Sequence, residues 1–453
     1  MISPWRNPCG DRSIPTSKHH WELNHKCIAV LLRQFYLAGV PFLGPCELSI
    51  YICRITRTIQ VSLPLNKFGL VSHHFTMATS NGHCDPAFTR VRDLLQQLIN
   101  NEEELGASIC VNIDGQNVVD LWGGHADPAR TKPWEKDTVT VVWSVSKVIT
   151  AIATNILIDR GLLDPNEKVS KYWPEFAVNG KENILVSQLL SHTSGVSSWE
   201  LPNTLDDIYD AKRGADKLAR QAPWWTPGER SGYHVANQGH LLGELVHRIT
   251  GKPLDEFIRD ELASPLDADF QLGVPEKDWP RTADVSPPPP LSLDGVDPQS
   301  VMFKSFASLP MPAEESMGPG FRKALIGATN GFSNARGIAR IASVVSLGGT
   351  VDGKQYLSPE TIDRMLEEQI SGPDMVLMYH LRWGLGVGLP VPETFPWLPD
   401  GRIAFWTGWG GSVVVMDLEK RMTIAYVMNK MGQGTLGSDR TAAYVRAVYD
   451  CLA

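Results

Sequence analysis

Ser144-Val145-Ser146-Lys147-Val148-Ile149-Thr150-Ala151-Ile152-Ala153-Thr154-Asn155-Ile156-Leu157-Ile158-Asp159 reads as one helix that is apolar on nearly every side. A helix of that kind is buried rather than laid on a surface. Arg160-Gly161 supplies its stop. A short apolar stretch, Val139–Val142, leads in, so Ser144 falls at the amino end. Free N–H groups and the helix dipole favour developing negative charge there. Lys147 lies three residues on, on the same face. An ammonium inside so apolar a helix is costly without a partner, and desolvation lowers its pKa toward that of a usable base. A serine hydroxyl beside such an amine is an activated nucleophile. The bland alternative is an N-capping serine beside a lysine whose head reaches water.

Regular elements flank this helix on both sides. Leu94, Leu95, Leu98 and Ile99 sit at helical spacing. Ile109, Val111 and Ile113 alternate, meet a turn at Asp114-Gly115, and resume with Val118 and Val119, a hairpin signal. Further on, Val186–Leu190, Leu205–Gln221, Asn237–Ile249 and Ala335–Leu347 read as helices, with Pro287-Pro288-Pro289-Pro290 in a connection between them. Ile403–Trp406, Ser412–Met416 and Thr423–Val427 are β-rich, and Thr441–Leu452 closes as a helix. Strands at both ends around a helical middle predict an α/β (α+β) domain with an all-helical insert.

The 453 residues have ordinary globular composition and a formal charge of −8, which argues against a nucleic-acid-binding surface. The charge is uneven: residues 1–76 carry a net +5 and residues 77–453 a net −13. Four of the seven cysteines (Cys9, Cys27, Cys46, Cys53) also lie in the first stretch. It shows no sustained period, and its most apolar part, Ile28–Leu43, is too short and interrupted for a membrane span. We expect 1–76 to be a disordered leader or a mis-assigned start ahead of Met77, against the alternative of a targeting segment. N-terminal sequencing of the natural protein decides between them. The expected division is then a 77–453 domain, with an α/β part at about 85–150 and 330–453 and a helical part at about 151–329. Few, scattered cysteines and no clear secretory signal point to a reduced, cytoplasmic setting.

Two further segments carry chemistry. In Pro227-Gly228-Glu229-Arg230-Ser231-Gly232-Tyr233-His234 a turn delivers Tyr233 to the start of a helix. A phenol there is either a packing aromatic or a proton relay, the latter if a nearby cation such as Lys147 lowers its pKa. In Phe405-Trp406-Thr407-Gly408-Trp409-Gly410-Gly411-Ser412, small residues let backbone approach a ligand, and a strand edge can offer an N–H to an oxyanion. The alternative is a tight hairpin turn with two packing tryptophans.

Taken in this order, the three segments resemble the serine β-lactamase-like superfamily, in particular family VIII carboxylesterases and class C β-lactamase-type hydrolases. Arg160-Gly161-Leu162-Leu163-Asp164, Tyr172-Trp173-Pro174-Glu175-Phe176, Leu189-Leu190-Ser191-His192-Thr193-Ser194-Gly195 and Leu242-Gly243-Glu244-Leu245 look like recurring segments of the same group. The resemblance spans roughly residues 85–450. It implies a β-lactamase/transpeptidase-like fold, an antiparallel sheet flanked by helices. It implies Ser144 as nucleophile, Lys147 as adjacent base and Tyr233 as the tyrosine that shuttles the proton. Trp406-Thr407-Gly408 then matches the Lys/His-Thr-Gly strand, and the oxyanion donors are the N–H groups of Ser144 and, as first choice, Trp409. His192 is expected to be structural. No metal or organic cofactor is implied.

Two departures bear on the substrate. The Asn expected two residues after the tyrosine is Val235, the nearest being Asn237. Trp406 replaces a cation that would receive a substrate carboxylate. Both point to a small-molecule ester with an uncharged, fairly apolar acyl or alcohol group. Trp143, Trp224, Trp225, Trp406 and Trp409 are candidate pocket walls. The expected activity is ester hydrolysis through an acyl-enzyme. The alternatives are acyl transfer to an alcohol, as in secondary metabolism, β-lactam or peptide cleavage, and a catalytically silent scaffold.

Overall fold

The computed structural model describes residues 79–453. The expectation of a leader over 1–76 therefore lies outside the described residues. Three strands open the fold: β1 (Asn81–Cys84), β2 (Gly106–Ile113) and β3 (Gln116–Gly124). Asp114 and Gly115, both at positive φ, make the two-residue β2–β3 turn. That is the primed geometry which matches strand twist, and Asp-Gly is well suited to it.

Short strands follow: β4 (Thr140–Val141), β5 (Phe270–Leu272), β6 (Gly331–Ser333), β7 (Thr350–Val351) and β8 (Lys354–Gln355). The chain ends in β9 (Ile370–Pro373), β10 (His380–Trp383), β11 (Gly388–Leu389), β12 (Ile403–Thr407), β13 (Val413–Asp417) and β14 (Met422–Met428).

One antiparallel sheet of nine strands takes the order β1-β3-β2-β14-β13-β12-β11-β10-β9. The two ends of the described chain meet where β2 pairs β14, Ala107 opposite Met428 and Ile113 opposite Met422. Every residue of β12, β13 and β14 is buried, so these strands are covered on both faces. The Thr89–Asn100 and Asp439–Asp450 helices pack together against β3 and β14, while Ala335–Ser346 packs on β2, β13, β14 and the Val145–Asp159 helix. That last helix is buried from Val145 through Ile158, as its composition predicts.

The stretch between consists of helices and loops with one short strand, β5, which joins β4 and β6 in a small sheet of order β4-β6-β5. Leu205–Gln221 divides into Leu205–Tyr209 and Ala211–Arg220, because the Asp210 carboxylate leaves helical geometry to cap the second helix through Arg213 N–H at 2.9 Å. Among the described residues no helix is long and apolar enough to cross a membrane.

Candidate active site

β4 leads into Trp143, which adopts φ +50. A left-handed residue with a bulky side chain is strained, and packing must hold it. Its indole is buried, with ring centroids 5.8 Å from Phe321 and 5.1 Å from Trp409. Ser144 follows as the N-cap of the Val145–Asp159 helix, yet its side chain makes no capping bond. Its Oγ instead accepts from Lys147 Nζ at 3.0 Å.

Lys147 is only 2% exposed, which removes the reading of a surface lysine reaching water. Its ammonium nitrogen also reaches the carbonyls of Val235 at 2.7 Å and Ala328 at 3.0 Å. Among the described residues no carboxylate pairs with it. Desolvation by burial pushes its pKa well below the ordinary lysine value.

Tyr233 stands over this pair, with Lys147 Nζ 4.6 Å from its ring centroid. Burial pushes the phenol's pKa up, opposed by hydrogen bonds from Ser144 and Trp406, and the Asp374 charge adds to the rise. The groups that lower it are Ser144 and Trp406, not the lysine that the sequence offered for that part. A dry site disfavours phenolate and ammonium alike, so the groups sit as neutral phenol and an easily deprotonated amine. The phenol oxygen accepts from Trp406 Nε1 at 2.8 Å.

That bond changes the place of Trp406. Its buried indole braces Tyr233 instead of lining an open pocket. Thr407 is also buried, its hydroxyl donating to Thr435 O at 3.3 Å. Gly408, Gly410 and Gly411 N–H groups donate to Ser412, Gly434 and Gly408 carbonyls, respectively. Trp409, partly exposed, keeps its N–H without a protein acceptor among the described residues, as does Ser144. Ser412 Oγ donates to Val142 O at 2.8 Å, which ties this turn to the approach to Ser144.

At the departure from the expected Asn, the backbone carbonyl of Val235 holds the lysine. Asn237 is fully buried and donates to Val196 O at 2.7 Å. His192 acts on the tyrosine segment's backbone: its carbonyl accepts Gly232 N–H at 2.9 Å and its Nδ1 accepts His234 N–H at 3.1 Å. Burial drives its pKa well down, so the ring is neutral. Trp225 packs its ring against Gly232. The sequence reading missed the Ala328 carbonyl, Trp383 and Asp374. A carbonyl carries no residue-type signal, and the other two lie in a hairpin whose four-residue strands are too short to be read from sequence.

Residues 91–448 match the Beta-lactamase family. The chain is 32% identical over 363 residues to "Esterase/beta-lactamase LipL" of Mycobacterium tuberculosis (strain ATCC 25618 / H37Rv), covering 77% of this chain and 83% of that protein. A solved family VIII carboxylesterase superposes with a TM-score of 0.77 at 34% identity, over 82% of this chain and 99% of that one. EstA from Arthrobacter nitroguajacolicus Rue61a does so at 0.72 and 29%, over 82% and 98%. With its sheet, its buried Ser-x-x-Lys helix and likeness of this extent, the chain belongs to the beta-lactamase family.

Proposed function

We propose that the protein is a serine hydrolase that cleaves esters of uncharged, fairly apolar substrates through an acyl-enzyme on Ser144. The observation that carries this is the 3.0 Å contact between Ser144 Oγ and a buried Lys147 amine without an acidic partner. The neutral amine accepts the serine proton as Oγ attacks the ester carbonyl carbon. The carbonyl oxygen becomes an oxyanion between the N–H groups of Ser144 and Trp409, at the positive end of the helix. As the tetrahedral intermediate collapses, the proton passes through the Tyr233 hydroxyl to the leaving alcohol. Water, activated by the same pair, then releases the acid.

The names of the esterase relatives support this reading. So does the identity of Trp406, a neutral residue at the position where the resemblance expects a cation. The test is intact-protein mass spectrometry after a fluorophosphonate probe or a p-nitrophenyl ester, with Ser144→Ala alongside. A single adduct on the wild type, absent from the variant, is expected. Retained labelling in the variant refutes the nucleophile. Adding a competing alcohol during turnover separates hydrolysis from acyl transfer by the product formed. Slow nitrocefin hydrolysis is also expected, and rapid turnover contradicts the assigned preference.

A further inference from the structure

Along the segment that carries Tyr233, successive N–H groups find acceptors on different parts of the chain. On one side, His192 takes Gly232 N–H on its carbonyl and His234 N–H on Nδ1. On the other, Tyr233 N–H meets the Asp374 side chain, with 3.1 Å to Oδ1. Asp374 lies in the loop joining β9 to β10, and the next residue continues the contact, Met375 N–H donating to Ser231 O at 2.9 Å. The same Oδ1 accepts Val376 and Leu377 N–H at 2.9 Å each, closing its own turn. Trp383, on β10, stacks its ring on Tyr233, centroids 5.9 Å apart at 11°. One hairpin thus holds both the backbone and the ring of the tyrosine.

We propose that Asp374 is a positioning residue: its carboxylate joins the β9–β10 hairpin to the Tyr233 backbone and so sets where the phenol oxygen stands between Ser144 and the leaving group. The proposal rests on the acyl-enzyme reading above. Asp374 is 1% exposed, and a carboxylate is a costly choice for filling space at such a position. Its own turn needs only one acceptor, which a serine there would supply. The added contact to Tyr233, across 141 residues of chain, is what the longer side chain provides.

The test compares Asp374→Ala, Asp374→Ser and Asp374→Asn with wild type, each assayed well below its own melting temperature. Rates of p-nitrophenyl ester turnover are referred to folded protein, and the rate of fluorophosphonate labelling is measured in parallel. Asp374→Asn retains the acceptor oxygen and is expected to stay within about 3-fold of wild type. Asp374→Ser still closes the turn but does not reach Tyr233. It is expected to lose about 10-fold or more in kcat and labelling rate with KM changed less than 3-fold, as misplacement of a proton-transfer group does. Asp374→Ala is expected to do the same, and if it fails to fold, the serine variant decides. Folded serine variant with wild-type kcat and labelling rate, or an asparagine variant as impaired as serine, overturns the proposal. A wild type that forms no Ser144-dependent adduct overturns the parent reading instead, and this one with it.

Discussion

Lys147 is the residue on which the chemistry turns, because it is buried against Ser144 Oγ and two carbonyls with no carboxylate among the described residues. Its depressed pKa sets the sign of the pH dependence. Below that pKa the amine holds its proton and cannot take one from Ser144, so kcat/KM should rise as pH climbs through it. The acid limb of the profile should therefore lie well below the ordinary lysine value of 10.5. A pH–rate profile with its rise near 10.5 contradicts the neutral-amine base. Lys147→Ala should lower kcat/KM about 10²-fold or more, and Tyr233→Phe should do likewise. Trp406→Phe keeps an aromatic ring but leaves part of the indole's space empty and removes the N–H on the phenol, whose loss alone is about 1 kcal/mol, and a several-fold or larger drop in kcat is expected.

Among the elements that position the site, the turn after β12 leaves no room for a side chain at Gly408. A Cβ on Gly408 would stand 2.5 Å from Val142 O and 2.2 Å from Ser412 Oγ. The first is backbone on the approach to Ser144 and does not yield. Gly408→Ala should thus destabilise the protein by about 1–3 kcal/mol in chemical denaturation and slow fluorophosphonate labelling as well. A variant with unchanged stability and labelling would show the turn to be slack. This segment was legible in sequence as small residues before an apolar strand, and Ser144 and Lys147 as a pair on a buried helix, whereas Tyr233 was singled out as catalytic by the family resemblance. The β9–β10 hairpin was not, since each strand has only four residues and β9 contains Gly372 and Pro373, so its alternation is too brief to stand out in sequence.

Across the whole molecule, the joining of the two ends of the described chain rests on β2 and β14 and on a buried ion pair. Glu104, just before β2, pairs with Arg440 on the Asp439–Asp450 helix, and its Oε1 also accepts Tyr426 OH at 2.5 Å. Removing one partner leaves a charge buried alone. Arg440→Leu should cost about 3–5 kcal/mol of unfolding free energy, and Glu104→Gln with Arg440→Leu should recover part of it, measured by denaturant titration. An unchanged midpoint in the single variant would show that the pair carries no stability. Local pattern was enough for the buried helix, the Asp114-Gly115 hairpin, the final strands and the order of the three motifs, because periodicity, turn chemistry and residue type act over a few neighbours. Only the folded chain decided that Tyr233 ends as a raised-pKa phenol, that Trp406 and Asp374 hold it, and that the Val235 and Ala328 carbonyls hold Lys147. Those contacts join segments 88 to 181 residues apart, and burial, which sets the pKa directions, exists only once they have closed.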